Sequence, residues 1–259
     1  MNIEQIYQTW EKNLETKYHS FFPNAISTIW DGVINPTLYY EAPLKLMFIN
    51  KESPDNDEYK LNHIIREQIA HNIPLFKGYH NFKDTIMLET TLFNFLTKSN
   101  KWDITTQQLI EILNNIEEKA FNKDFEKCAI CNIKKSNGKN YSNTNDLNNY
   151  LYKGIDILEE QIAFFNPSII IGGNICDKLL ERYFKWGENL YVDEKEFKIY
   201  QIKIRDNIIP YFDLYHPSAF GKYKIDTNYC CRIWKAIKKI EQERPYYWEN
   251  ILNKRCFVV

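Results

Sequence analysis

Two patterns of hydrophobic residues alternate along this chain. Short runs that are apolar at most positions, "LKLMFIN" (44–50), "KCAICNI" (127–133) and "PSIIIGG" (167–173), each lead into polar or glycine-bearing stretches. Runs of that length, closed by breakers, predict buried strands. "EFKIYQIKI" and "NIIPYFDLYH" predict a hairpin or two sequential strands. Between these runs, apolar residues recur at helical spacing. Helices are predicted in "IEQIYQTWEKNLETKY" near the start, near 58–71, 84–98, 105–118 and 146–164, in "NICDKLLERYF", and over 225–242. Strands alternating with helices predict a three-layer α/β/α sandwich around a mostly parallel, four-stranded central sheet. That domain spans 41–259, with an N-terminal helical extension over 1–40. Ligands of such sheets bind beyond the carboxyl ends of the strands. Four polar loops are thereby placed on one rim: 50–57, 132–141, 172–175 and 215–224.

Composition narrows the class. The chain has 259 residues, 44% hydrophobic and 15% aromatic, which suffices for one large core. No apolar run approaches the length of a bilayer span, and "MNIEQIYQTWEKN" is too polar for a signal peptide. No membrane partner is expected. The six cysteines lack framework spacing and predict reduced thiols in a cytoplasmic protein. Cys128 and Cys131 are spaced like metal ligands but flank a buried strand and have no second pair nearby, so neither metal nor other cofactor is expected. A net charge of −1 excludes a basic footprint over the whole protein. Positive charge is concentrated locally in "IKKSNGKN" (133–140) and "KYKIDTNYCCRIWKAIKK" (222–239). These segments can meet one phosphate backbone if the fold brings them together.

"DLYHPSAFGKYK" (213–224) is the stretch with the clearest chemistry. A strand-like run delivers a histidine, a rigid proline and a serine into a loop bearing lysines and a tyrosine. Such a histidine can aim an N–H donor outside the fold, or end a strand and bond a neighbouring loop. Taken in order, "FINKESPDND", "CAICNIKK", "NPSIIIGGNICDKLL" and "YHPSAF" resemble the motifs of the uracil-DNA glycosylase superfamily. Those motifs are a Gly-x-x-Pro or Gly-Glu-Ala-Pro-Gly loop, a strand ending in Asn, a Pro-x-hydrophobic-Gly strand and a His-Pro-Ser loop. The resemblance spans about residues 44–242 and lies closest to the bacterial iron–sulfur branch. That branch's N-terminal Cys-x-x-Cys pair is missing, since residues 1–127 contain no cysteine.

The resemblance implies a monomeric glycosylase that hydrolyses the N-glycosidic bond of uracil or a modified base flipped out of duplex or single-stranded DNA. Breaking that bond leaves negative charge on the base and cationic character on the sugar. His216 stands where the family's histidine donates to the base oxyanion. Asn132 matches the base-reading asparagine, whose amide both donates and accepts. Phe76, in "PLFKG" (74–78), is the stacking candidate, with Pro54 and Ser218 also against the base. Glu52, Ser53 and Asp55 are candidates for directing water or stabilising the sugar, Glu52 leading. Asp57 either joins them or caps the following helix. Lys134, Lys135, Lys222 and Lys224 would contact phosphates, and Phe220 would fill the gap left by the flipped nucleotide. Lys51 occupies the family's glycine position and would hold the backbone further from the base. Two other readings follow from that departure: a member that binds nucleic acid or nucleotide with weak or no turnover, and a hydrolase of a free nucleoside or nucleotide.

Overall fold

A computed structural model describes residues 2–23, 29–51, 59–77, 80–135, 143–173, 180–193, 197–217 and 225–253. The chain opens with α1 (Ile3–Phe21), then β1 (Ile29–Trp30), β2 (Gly32–Val33), α2 (Pro36–Glu41) and β3 (Leu46–Asn50). It continues through β4 (Tyr59–Lys60), α3 (Leu61–Ala70), α4 (His80–Asn94), α5 (Thr106–Asn114), α6 (Glu118–Phe125) and β5 (Cys128–Asn132). After α7 (Thr144–Phe165) come β6 (Ile169–Gly173), β7 (Lys185–Asp193), β8 (Phe197–Ile204) and β9 (Asn207–Leu214). α8 (Thr227–Glu243) and α9 (Tyr247–Leu252) follow.

The main sheet has seven strands among the described residues, in the order β2-β5-β3-β6-β9-β8-β7. Its centre is parallel: β3 pairs with β5 and β6, and β6 pairs with β9. Antiparallel strands extend both sides of that centre. The sheet is therefore mixed and wider than the four strands expected. β8 and β9 are the expected hairpin. β7 goes beyond the expectation because "KWGENLYVD" is polar and largely exposed, and its strand state comes from pairing with β8. The helix expected over 105–118 is α5, which ends at Asn114, and a second helix, α6, begins at Glu118.

β3, β5 and β6 are buried at every position because helices cover both faces. Alternate residues take opposite sides. Leu46, Phe48, Cys128 and Ile130 pack with residues of α4, α6 and α8. Met47, Ile49, Ala129 and Cys131 pack with residues of α1 and α7. Local signals set the helix starts. Asn2 and Gln5 form a capping box at α1, and Asp226 accepts from the Tyr229 N–H at α8.

The N-terminal residues are built into this body. β2 joins the sheet beside β5, and Trp10 of α1 stacks on Phe164 of α7 at 4.1 Å. The Tyr7 hydroxyl accepts from the Val33 N–H at 3.0 Å. Gly32, at φ 155°, lies so close that a Cβ there would sit 2.3 Å from that hydroxyl. No helix among the described residues is long and apolar enough to cross a membrane.

Candidate functional site

The parallel strands deliver their ends to one rim. Asn50, closing β3, is in register with Asn132, closing β5, and Gly173 of β6 with Leu214 of β9. By strand alternation the two asparagines share the face of Phe48 and Ile130. The chain beyond stays zipped for two more residues. The Ile133 N–H donates to Asn50 O and the Lys134 N–H to Lys51 O, both at 2.9 Å. Lys51 and Lys134 therefore lie side by side where the chain leaves the two strands.

His216 reaches this rim through a close approach. A Cβ on Gly173 would lie 3.1 Å from both His216 Cδ2 and Pro217 Cδ. Any side chain there would push the His-Pro loop outward. Gly172 answers a different need, since its Cβ would overlap the Tyr211 hydroxyl. From α4, the Thr85 hydroxyl donates to Pro217 O at 3.3 Å. Tyr215 stacks on Tyr229 with ring centroids 5.0 Å apart. Burial, reinforced by the Lys51 ammonium, lowers the His216 pKa to about 4. At physiological pH the ring is neutral and keeps one N–H to donate.

Asn132 is buried, and its Nδ2 has no hydrogen-bond partner among the described residues. Buried amides are almost always satisfied, so this donor calls for a partner that the described residues do not supply. Phe76 packs against the same side of the core, 4.9 Å from the Phe82 ring and 5.9 Å from Phe125. Its φ of 53° is left-handed, which costs an L-residue roughly 1–2 kcal/mol. The ring contacts hold it there.

The two lysines after Asn132 do not face outward. Lys134 pairs with Asp146 at 2.6 Å and lies 5.1 Å from the centroid of the Tyr150 ring. Lys135 is 2% exposed and bonds Asp31 Oδ1 at 2.5 Å and Cys131 Sγ at 3.3 Å. Burial pulls the Lys135 ammonium down, but the Asp31 carboxylate more than offsets this and its pKa lies above the ordinary value. A phosphate-contact role for Lys135 is incompatible with this placement, and Lys134 is already neutralised. In α8, Lys238 donates to Trp102 O and Ile104 O at 3.1 and 2.8 Å. The helix rise puts it about 16 Å from Thr227, where α8 leaves the rim. Lys238 is thereby committed to backbone carbonyls.

Cys128 and Cys131 fall into the clusters on opposite faces of the sheet, so the pair cannot share a metal ion. Burial pushes the Cys131 thiol up to about 12, and Cys128 is raised as well. Among the described residues no group of three His, Cys, Asp or Glu could hold a metal ion. Glu52, Ser53, Pro54, Asp55, Asp57, Ser218, Phe220, Lys222 and Lys224 lie outside the described residues.

Asp31, Gln161, Asn50 and Thr85 belong to the site's surroundings and were missed in the sequence. Asp31 had a signal: a lone acid followed by glycine in "IWDGV". Comparison with known proteins leaves the geometry to speak alone: no family model, curated protein or solved structure matches the chain.

Proposed function

We propose that this chain is a nucleobase N-glycosyl hydrolase of the uracil-DNA glycosylase kind, acting on a base flipped out of DNA. The observation that carries the reading is the placement, at the same sheet rim, of a neutral His216 and a buried Asn132 whose Nδ2 has no hydrogen-bond partner among the described residues. As the C–N bond breaks, its electron pair leaves with the base. His216 donates its N–H to the base oxygen on which charge collects, and Asn132 donates to and accepts from the base edge. A neutral donor suits this role because it stabilises the anion without first giving up a proton. The Phe76 ring supplies a stacking surface. Water adds to the anomeric carbon, directed in this proposal by Glu52, which takes the water's proton, with Ser53 or Asp55 beside it; the departing base anion takes up a proton in turn. Phosphate contact rests on Lys222 and Lys224, with Phe220 as the wedge.

The test is excision from oligonucleotides carrying uracil, hypoxanthine, hydroxymethylated or glucosylated bases. His216→Ala should lower excision about 10²–10³-fold with an unchanged melting temperature, as loss of one oxyanion donor does. Full activity in the variant would remove His216 from the mechanism.

A second reading, a hydrolase of a free nucleoside or nucleotide, draws support from the internal neutralisation of Lys134 and Lys135. Salt separates the two. Binding to a nucleic acid should weaken with a log–log slope of about 0.7–0.9 per phosphate contacted, whereas binding of a free nucleoside should be nearly flat.

A further inference from the structure

We propose that Asp31 is a positioning residue: its carboxylate holds the backbone from which Asn132 reads the base. This rests on the glycosylase reading and adds a residue that the motifs do not contain. The pairing of β2 with β5 stops at Gly32, opposite Ile130. Just beyond it, Asp31 Oδ2 accepts the Asn132 N–H at 2.6 Å, so a side chain continues where the strand ends. The other oxygen, Oδ1, accepts from Lys135 at 2.5 Å and from Gln161 Nε2 at 3.3 Å. One carboxylate thus ties down both ends of the segment 132–135 and joins it to α7.

The tie matters because the Asn132 side-chain N–H₂ has no hydrogen-bond partner among the described residues, so its orientation is set through its backbone. An amide discriminates donors from acceptors on a base only if its orientation is fixed before the base arrives. Asp31 is fixed in turn. Gly32 packs against the Tyr7 hydroxyl, and that hydroxyl accepts from Val33. The N-terminal segment therefore takes part in the site through one buried acid. A purely structural ion pair would account for Lys135, but not for the bond to the Asn132 N–H.

Two double variants separate these roles. Asp31→Asn/Lys135→Met removes both charges and keeps an oxygen for the Asn132 N–H. Asp31→Leu/Lys135→Met removes the acceptor too. Two readouts apply: hydrogen exchange of the Asn132 backbone amide, and the ranking of bases excised. The Asn variant should keep the exchange protection and the ranking. The Leu variant should exchange about tenfold faster at Asn132, the loss of roughly one hydrogen bond, and should cut the bases with little discrimination. If the Leu variant does not fold, Asp31→Glu keeps the charge, moves the acceptor, and should show the same two changes. Identical protection and ranking in the variants with and without the acceptor would overturn the proposal. A wild-type protein that excises no base, yet loses Asn132 protection without the Asp31 acceptor, would overturn the glycosylase reading and uphold the positioning.

Discussion

Asp31 and Glu89 are both buried acids, and the protein meets the cost of their burial in opposite ways. Asp31 packs beside Cys131, on the face covered by α1 and α7. Burial is the largest effect and leaves its carboxyl above the ordinary value, while the Lys135 ammonium, the Asn132 N–H and the Gln161 amide oppose the rise. Three donors, one of them charged, are what an ionised carboxylate requires. Glu89 lies in α4, one turn beyond Thr85, among the apolar residues of the other face. Neither of its oxygens has a hydrogen-bond partner among the described residues, and burial raises its pKa well above the ordinary value. Burial with no counter-charge thus favours its neutral form. The comparison teaches that at the rim a buried charge is kept and used to hold backbone, whereas in the core the charge is given up.

The contrast breaks most visibly at Lys135. Lys135→Met leaves Asp31 as an uncompensated buried charge and should cost about 3–5 kcal/mol, read from urea unfolding. A loss under about 1 kcal/mol would mean that Asp31 is neutral like Glu89 and that the two acids do not differ.

Glu89→Met sharpens the other side. It removes two unsatisfied oxygens at similar volume and should stabilise the fold by roughly 1–3 kcal/mol at neutral pH. Folded Glu89 keeps a proton that the unfolded chain releases above its ordinary pKa of 4.5. The group's contribution is therefore fully present in acid and declines as pH rises, by up to about 1.4 kcal/mol per pH unit. The variant's advantage should widen along that slope as pH rises above the ordinary 4.5. An advantage that is the same at every pH would show that Glu89 ionises normally inside the fold.

The smallest effect is expected at His216, which is held neutral chiefly by burial, with the Lys51 ammonium adding to it. Its folded pKa of about 4 lies below the ordinary 6.5, so its contribution to stability is complete above 6.5 and is lost as pH falls towards 4. Excision should accordingly run flat through pH 6.5, with no acid limb there. A limb centred near that value, abolished in His216→Gln, would show an ordinary, solvated imidazole.

Several features were legible because their physics is local. β3, β5 and β6 announce themselves as apolar runs, since strands covered on both faces have no polar side to show. α7 and α8 carry their periodicity and caps within a few residues of each end. His216 and Asn132 could be placed at strand ends for the same reason. β2 could not, because two residues have no period and pair only where β5 lies waiting.

The lysines show why the rest was hidden. In "IKKSNGKN" they look like a solvated basic loop, and nothing nearby in the chain contradicts that. The counterion of Lys135 stands 104 positions earlier, and that of Lys134 is 12 positions later on a helix. Backbone periodicity is set by bonds between near neighbours, so it can be read along the chain. Whether a charge meets solvent, a phosphate or a buried partner depends on which distant segments the sheet order brings together. For this protein the strand ends and their candidate chemistry belong to the first kind of information. The inward turn of Lys135, the neutrality of Glu89 and the hold of Asp31 on Asn132 belong to the second, because each exists only when long-range packing has excluded water.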